Sequence, residues 1–316
     1  MHIPVALERC IDLLTPSIER AIAERGEAIV IDATLGLGGH SRALLERFPA
    51  LRIIGLDRDL SAIAIATETT KEFSERITIV HCIYDQMVSV INGLGIDHVD
   101  GILFDLGVSS MQLDESSRGF AYSQDAPLDM RMDQSQGMSA HDVLMSYDRN
   151  ALIRILRQYG EEKFAPRIAD NIIAARATGG LETTTQLAEL VKASIPAPAR
   201  RTGGNPAKRT FQALRIEVNG ELEVLERAIP AALELIAPGG RVVSMAYQSL
   251  EDKVVKREFT RVTQSTTPRG LPVELPTDRP AFVLLFSGSE AASDEEIAEN
   301  PRAGSMRLRA IERLAS

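Results

Sequence analysis

Cysteine is scarce in this chain, long apolar runs are missing, and positive charge is in deficit. Each absence removes a class of protein. Only Cys10 and Cys82 occur, outside any Cys-x-x-Cys pair, which disfavours a disulfide framework and a thiolate zinc site alike. The five histidines, His2, His40, His81, His98 and His141, show no metal-ligand spacing, so no metal is expected. No apolar stretch approaches the roughly 18–20 residues that span a bilayer. The opening MHIPVALERC lacks the basic-then-apolar layout of a signal peptide. The expectation is a cytoplasmic protein with no membrane partner; oligomeric state is left open.

The formal net charge is −9, an unpromising balance for contact with phosphates, which needs Lys and Arg. A local basic stretch is nevertheless present: Arg200 to Arg215 contains five cations and no acid. Arg200, Arg201, Lys208 and Arg209 are therefore candidates for RNA contact, the alternative being a solvated linker. What the chain does have is ordinary globular composition, 44% apolar and 25% charged over 316 residues, enough for about two domains.

The first third alternates short apolar runs with helical spacing. Strands are expected at Ala28–Asp32, Arg52–Asp57, Ile77–Ile83 and Gly101–Asp105, with helices at Ser41–Phe48 and Leu60–Phe73, the latter capped by Asp59. Strands separated by helices pair in parallel, and apolar runs without alternation fit a sheet covered on both faces. Residues 107–139 read as loop. From Asp142 to Ile195 only helical patterns occur, and Pro196–Pro206 reads as a linker. Asn205–Pro206 is a good cap and first-turn pair for the next helix, which Pro238-Gly239-Gly240 would end. Further strands are expected at Arg241–Tyr247 and Ala281–Phe286. The fold expected is α/β, a doubly wound, mostly parallel Rossmann-like sheet over residues 1–129 and 206–316. An all-helical domain, residues 130–205, is inserted in it.

The first strand runs into Asp32-Ala-Thr-Leu-Gly36-Leu-Gly38-Gly39-His40 and then a helix. Such glycines let the backbone approach a ligand, and the helix start offers N–H groups to an anion. Asp57, at the end of the second strand, is placed to accept ribose hydroxyls. A P-loop is rejected, because Gly39-His40-Ser41 lacks the lysine. A dinucleotide site is weakened, because Ser41 stands where its last glycine belongs. S-adenosylmethionine (AdoMet) fits better, and a tight turn without ligand stays open.

The fourth strand ends at Asp105, where an acceptor substrate would sit. An exocyclic amine is a poor nucleophile because its lone pair is delocalised into the base. A carboxylate accepting one N–H raises its electron density and aligns it. Asp105 is thus the candidate catalytic residue; a cap or a cofactor contact is the alternative. Pyrimidine C5 methylation needs an activated cysteine, and neither Cys10 nor Cys82 looks activated.

Several blocks together carry a resemblance: DATLGLGGHS (Asp32–Ser41), GLDRD (Gly55–Asp59), DLGVSSMQLD (Asp105–Asp114), RGF (Arg118–Phe120), PLDMRM (Pro127–Met132), RTFQALRIEVN (Arg209–Asn219), PGGR (Pro238–Arg241), SLEDKVVKR (Ser249–Arg257) and NPRA (Asn300–Ala303). In order and over nearly the whole chain, they resemble the bacterial 16S ribosomal RNA (cytosine-N4)-methyltransferase family. The resemblance implies AdoMet as methyl donor. It also implies, as partner, 16S rRNA of the small ribosomal subunit, methylated at the exocyclic N4 of a decoding-centre cytosine near the P site. It implies AdoMet contacts from Gly38, Gly39, His40, Asp57, Tyr84, Asp105 and Gln112, with Tyr84 where the family often has Phe. One departure is evident: the family usually carries His before SLED, and this chain has Gln248. That puts a general base at this position in doubt and strengthens the case for Asp105. An AdoMet enzyme acting on another nucleic acid or a small molecule, and a non-catalytic RNA-binding assembly factor, are the competing functions.

Overall fold

The computed structural model describes residues 4–201, 205–265, 267 and 278–315. Its sheet is built from β1 (Ala28–Asp32), β2 (Leu51–Asp57), β3 (Ile77–His81), β4 (Val99–Asp105), β5 (Ile236–Ala246), β6 (Phe282–Leu284) and β7 (Arg307–Arg313), in the spatial order β3-β2-β1-β4-β5-β7-β6. Strands β1 to β5 are parallel; β7 runs antiparallel between β5 and β6. The doubly wound sheet expected from the sequence is therefore present, with the chain reversing its direction of travel at β1.

Both faces of the central strands β1, β2, β4 and β5 are largely buried, which is why these strands read as apolar runs, whereas the outer strands β3 and β6 are more exposed. Ile31, Ile54, Ile102, Phe104 and Val242 pack on one side with Leu225, Ile229, Val255 and Phe259 from the helices Glu221–Leu235 and Ser249–Val262. Val30, Ile53, Leu103, Val243 and Met245 face the other side, against Leu14 and Ile18 of the helix Leu7–Arg25. Successive residues such as Ile102, Leu103 and Phe104 thus enter opposite layers, as the two-residue period of a strand requires.

The chain divides into two compact units, residues 1–107 with 222–316, and residues 108–221. The junctions lie outside the 129/130 and 205/206 boundaries read from the sequence. Packing within the second unit explains the wider span. Arg118 is buried, and its guanidinium donates to the carbonyls of Arg131 and Met132 at 3.0 and 2.9 Å. The Asn219 carboxamide accepts the Met132 N–H at 2.8 Å and donates to the Met130 carbonyl at 2.8 Å. Segments 118–132 and Lys208–Asn219 therefore close on each other around the helices Arg149–Gln158, Ala165–Arg176 and Thr184–Ser194. The sequence blocks RGF, PLDMRM and RTFQALRIEVN meet here.

Some local readings are corrected. Asn205–Pro206 does not start the next helix, which begins at Lys208 with Ala207 as its cap; Asn205 Oδ1 instead accepts the Ala207 N–H at 2.9 Å. The helix before β5 ends at Leu235, and Pro238-Gly239-Gly240 lies within β5, where pairing with β4 shifts register between Val99 and Gly101. The expected strand Ala281–Phe286 shortens to Phe282–Leu284.

Candidate active site

Within the first unit, β1, β2 and β4 all end in aspartate on the same edge of the sheet: Asp32, Asp57 and Asp105. Parallel pairing puts their carboxyl ends together, and ligands of open α/β sheets sit there.

Asp32 is buried, and its carboxylate accepts the Ser41 hydroxyl at 2.7 Å. Burial raises its pKa, and the Ser41 bond and nearby His40 oppose that shift. Its role is to tie the first turn of the helix Gly39–Arg47 to the end of β1. Gly38 caps that helix at φ 80° with no side-chain cap. The first intrahelical bond runs from Arg42 N to Gly38 O at 2.8 Å, so the N–H groups of Gly39, His40 and Ser41 lie outside the helical ladder. Gly39 admits no side chain, because a Cβ there would stand 2.5 Å from Pro4 Cγ.

Asp57 takes the Gly36 N–H on Oδ2 at 2.7 Å and the Asp59 N–H on Oδ1 at 2.8 Å. Burial pushes its carboxyl up to about 6; the two amide bonds act against this, and the charges of Asp59 and Asp32 add to it. Asp59 caps the next helix through the Ser61 N–H at 3.0 Å, as its position implied. A carboxylate has about four acceptor sites, so two amides leave capacity for ribose hydroxyls. A Cβ built on Gly36 would meet only Thr34 O, at 3.8 Å, so the loop borders open space. A helix start without a side-chain cap and an acceptor at the end of β2 fit AdoMet: the helix for its carboxylate, Asp57 for its ribose. Tyr84 follows β3 and stands edge-on to Phe104, 5.8 Å between centroids.

Two hydrogen bonds hold Asp105, and His40 lies close by. Its N–H donates to Thr34 Oγ1 at 2.6 Å, Oδ1 accepts the Tyr247 hydroxyl at 2.7 Å, and Oδ2 lies 4.0 Å from His40 Nδ1. His40 is buried and its Nε2 is 3.1 Å from the Val5 carbonyl, which can only accept, so Nε2 carries the hydrogen. Gly38, Gly39, His40, Asp57, Tyr84 and Asp105 thus belong to one unit. Gln112 belongs to the other, where it is buried and forms a capping box with Ser109.

Sequence reasoning missed Thr34 and Tyr247. The available signal for Tyr247 was its place directly after β5, at the same edge as Asp105. Among the basic candidates, Arg200 donates to the Ile195 carbonyl at 2.7 Å and Arg209 to the Glu161 carbonyl at 3.3 Å, while Lys208 opens a helix. The side chain of Arg201 lies outside the described residues. No group of metal-ligating side chains occurs among the described residues.

A Rossmann-like sheet with a glycine loop after β1 and acids closing β2 and β4 defines an AdoMet-dependent methyltransferase. The MraW methylase family matches residues 1–314, and the chain belongs to it. It is 56% identical over 99% of its length to the ribosomal RNA small subunit methyltransferase H of Mycolicibacterium smegmatis, covering 84% of that protein. It is 55% identical to the protein of the same name from Renibacterium salmoninarum, covering 99% of this chain and 95% of that one. Among solved structures, an rRNA methylase from Streptococcus thermophilus aligns with 100% of both chains at 12% identity and a TM-score of 0.45.

Proposed function

We propose that this chain transfers a methyl group from AdoMet to the exocyclic N4 of a decoding-centre cytosine in 16S rRNA, acting on the small ribosomal subunit in the cytoplasm. The observation that carries this reading is Asp105, held by neighbours at the end of β4 beside the AdoMet loop, in a chain whose close relatives are named as small-subunit rRNA methyltransferases.

Bound AdoMet supplies an electrophilic methyl group. The protein's part is to bind and orient. The start of the helix Gly39–Arg47 holds the carboxylate end, Asp57 the ribose, and Tyr84 the adenine. Asp105 accepts one N–H of the amine, so the nitrogen lone pair is less drawn into the ring and points at the methyl carbon. The cysteines support nitrogen over C5 as the target. Burial, reinforced by the nearby Asp105, Glu296 and Asp32 charges, pushes the Cys10 thiol well above its usual range. Cys82 is pushed up to about 11, mainly by burial. Neither is a ready thiolate. No helix among the described residues is long and apolar enough to cross a membrane, in keeping with the proposed location.

The deciding experiment incubates the protein with labelled AdoMet and small subunits that lack the modification, then maps the methylated nucleotide by mass spectrometry. Label on a cytosine N4 of 16S rRNA supports the reading; label at C5, on another RNA, or nowhere overturns it.

A further inference from the structure

Tyr247 is the first residue after β5, and its place is set by the chain around it. Its N–H donates to Glu251 Oε2 at 3.1 Å. The same buried carboxylate takes the Gln248 N–H at 3.3 Å and the Gln248 side-chain amide at 2.9 Å. Three donors on one acid fix the turn from β5 into the helix Ser249–Val262. The Tyr247 ring runs past Gly107, where a Cβ would stand 3.7 Å from Cδ2, and its hydroxyl reaches Asp105 Oδ1 at 2.7 Å. With the Asp105 N–H tied to Thr34 and Oδ1 tied to Tyr247, the carboxyl plane is fixed and Oδ2 is the oxygen turned toward His40.

We propose that Tyr247 is a positioning residue for methyl transfer: its hydroxyl holds the Asp105 carboxylate in one orientation and in its ionised form. This deepens the catalytic reading of Asp105 and rests on it. A donor bonded to a carboxylate stabilises the charged form. Burial, together with the adjacent Asp105 charge, raises the phenol of Tyr247, so it remains a donor across the working pH range. The groups near Asp105 include His40 from the helix Gly39–Arg47, Asp32 from the end of β1, Cys10 from the helix Leu7–Arg25, and Tyr247 itself. Asp32, the other acid of this set, favours the protonated carboxyl, so removing the phenol donor leaves that influence less opposed.

The test is Tyr247→Phe, which deletes one oxygen. Single-turnover transfer to small subunits is measured against pH, and the Asp105 carboxyl is titrated by carbon-13 NMR in the free protein. The acid limb and the NMR midpoint should both move to higher pH by about one unit, the size of a lost bond to a charged group. The plateau rate should fall several-fold with AdoMet affinity unchanged. Difluorotyrosine at 247, a stronger donor, should move the midpoint the opposite way, and it keeps the test usable if the phenylalanine variant folds poorly. An unmoved limb and midpoint overturn the proposal, including the case where the rate falls evenly at all pH values. Asp105→Asn separates the two claims. If it leaves transfer intact, the catalytic reading of Asp105 fails. If it abolishes transfer while Tyr247→Phe is silent, only the role of Tyr247 fails.

Discussion

The two acids at the ligand edge of the sheet are held in different ways. Asp57 is gripped by main-chain amides, those of Gly36 and Asp59. Asp105 has its N–H on a threonine hydroxyl, while its carboxylate meets a tyrosine hydroxyl and a histidine ring. Amide donors survive any substitution that preserves the loop, so the setting of Asp57 is insensitive to side-chain changes. Side-chain partners can be exchanged one at a time, so the surroundings of Asp105 are tunable. Tyr247 bonds the Asp105 carboxylate, whereas the bonds from Gly36 and Asp59 to the Asp57 carboxylate come from amides.

Mutations can break that contrast. The largest effect expected is on chemistry: Asp105→Asn should slow single-turnover transfer by about a hundredfold or more, the range of a positioned acid–base group, a larger loss than any it causes in AdoMet affinity. Rates within twofold of wild type would remove Asp105 from the reaction. Asp57→Ala should do the reverse, weakening AdoMet by roughly ten- to a hundredfold through loss of bonds to a charged acceptor, while saturating AdoMet restores much of the rate.

The pH dependence sharpens the comparison. Burial raises the Asp57 carboxyl to about 6, and ribose hydroxyls bonded to it, as proposed, would favour its charged form. AdoMet binding should therefore strengthen as pH rises through 6, level off above about 7, and release protons near pH 6 by calorimetry. Binding that is flat from pH 5 to 8 would show that Asp57 does not contact the ligand.

Smaller effects are expected outside this edge. Reversing Lys208 and Arg209 to glutamate should weaken binding to small subunits and lower its salt slope by about one to two, leaving AdoMet affinity alone; an unchanged slope would make these side chains structural only. Gln248→His should be smallest, within about twofold in rate, since Gln248 donates to Glu251 and a histidine N–H can do the same. Loss of activity in a folded protein would mean the turn is built around glutamine.

The helix Leu7–Arg25 escaped the sequence reading for a physical reason. It starts after Ala6 at φ 50°, has no side-chain cap and contains Pro16, so the capping signal is missing and only Glu8 in the first turn marks the start. Strand β7 escaped for another. RLRAIER looks like a solvated face, yet Arg309 is buried in a two-bond pair with Asp252, at 2.7 and 3.0 Å, once β7 pairs with β5.

The sequence alone determined what neighbours along the chain can determine. It set the succession of the parallel strands along the chain, the glycine loop with its helix start, and the aspartates that close β2 and β4, because apolar period and turn chemistry are local. Tertiary structure decided the rest. Tyr247 reaches Asp105 across 142 residues, and Asn219 joins Met130 and Met132 across 89 and 87. These contacts exist only because the sheet pairs Asp105 with Met245 and the helical unit closes on its own entry segment, and pairing at that distance in sequence is fixed by burial and register rather than by any residue's own preference.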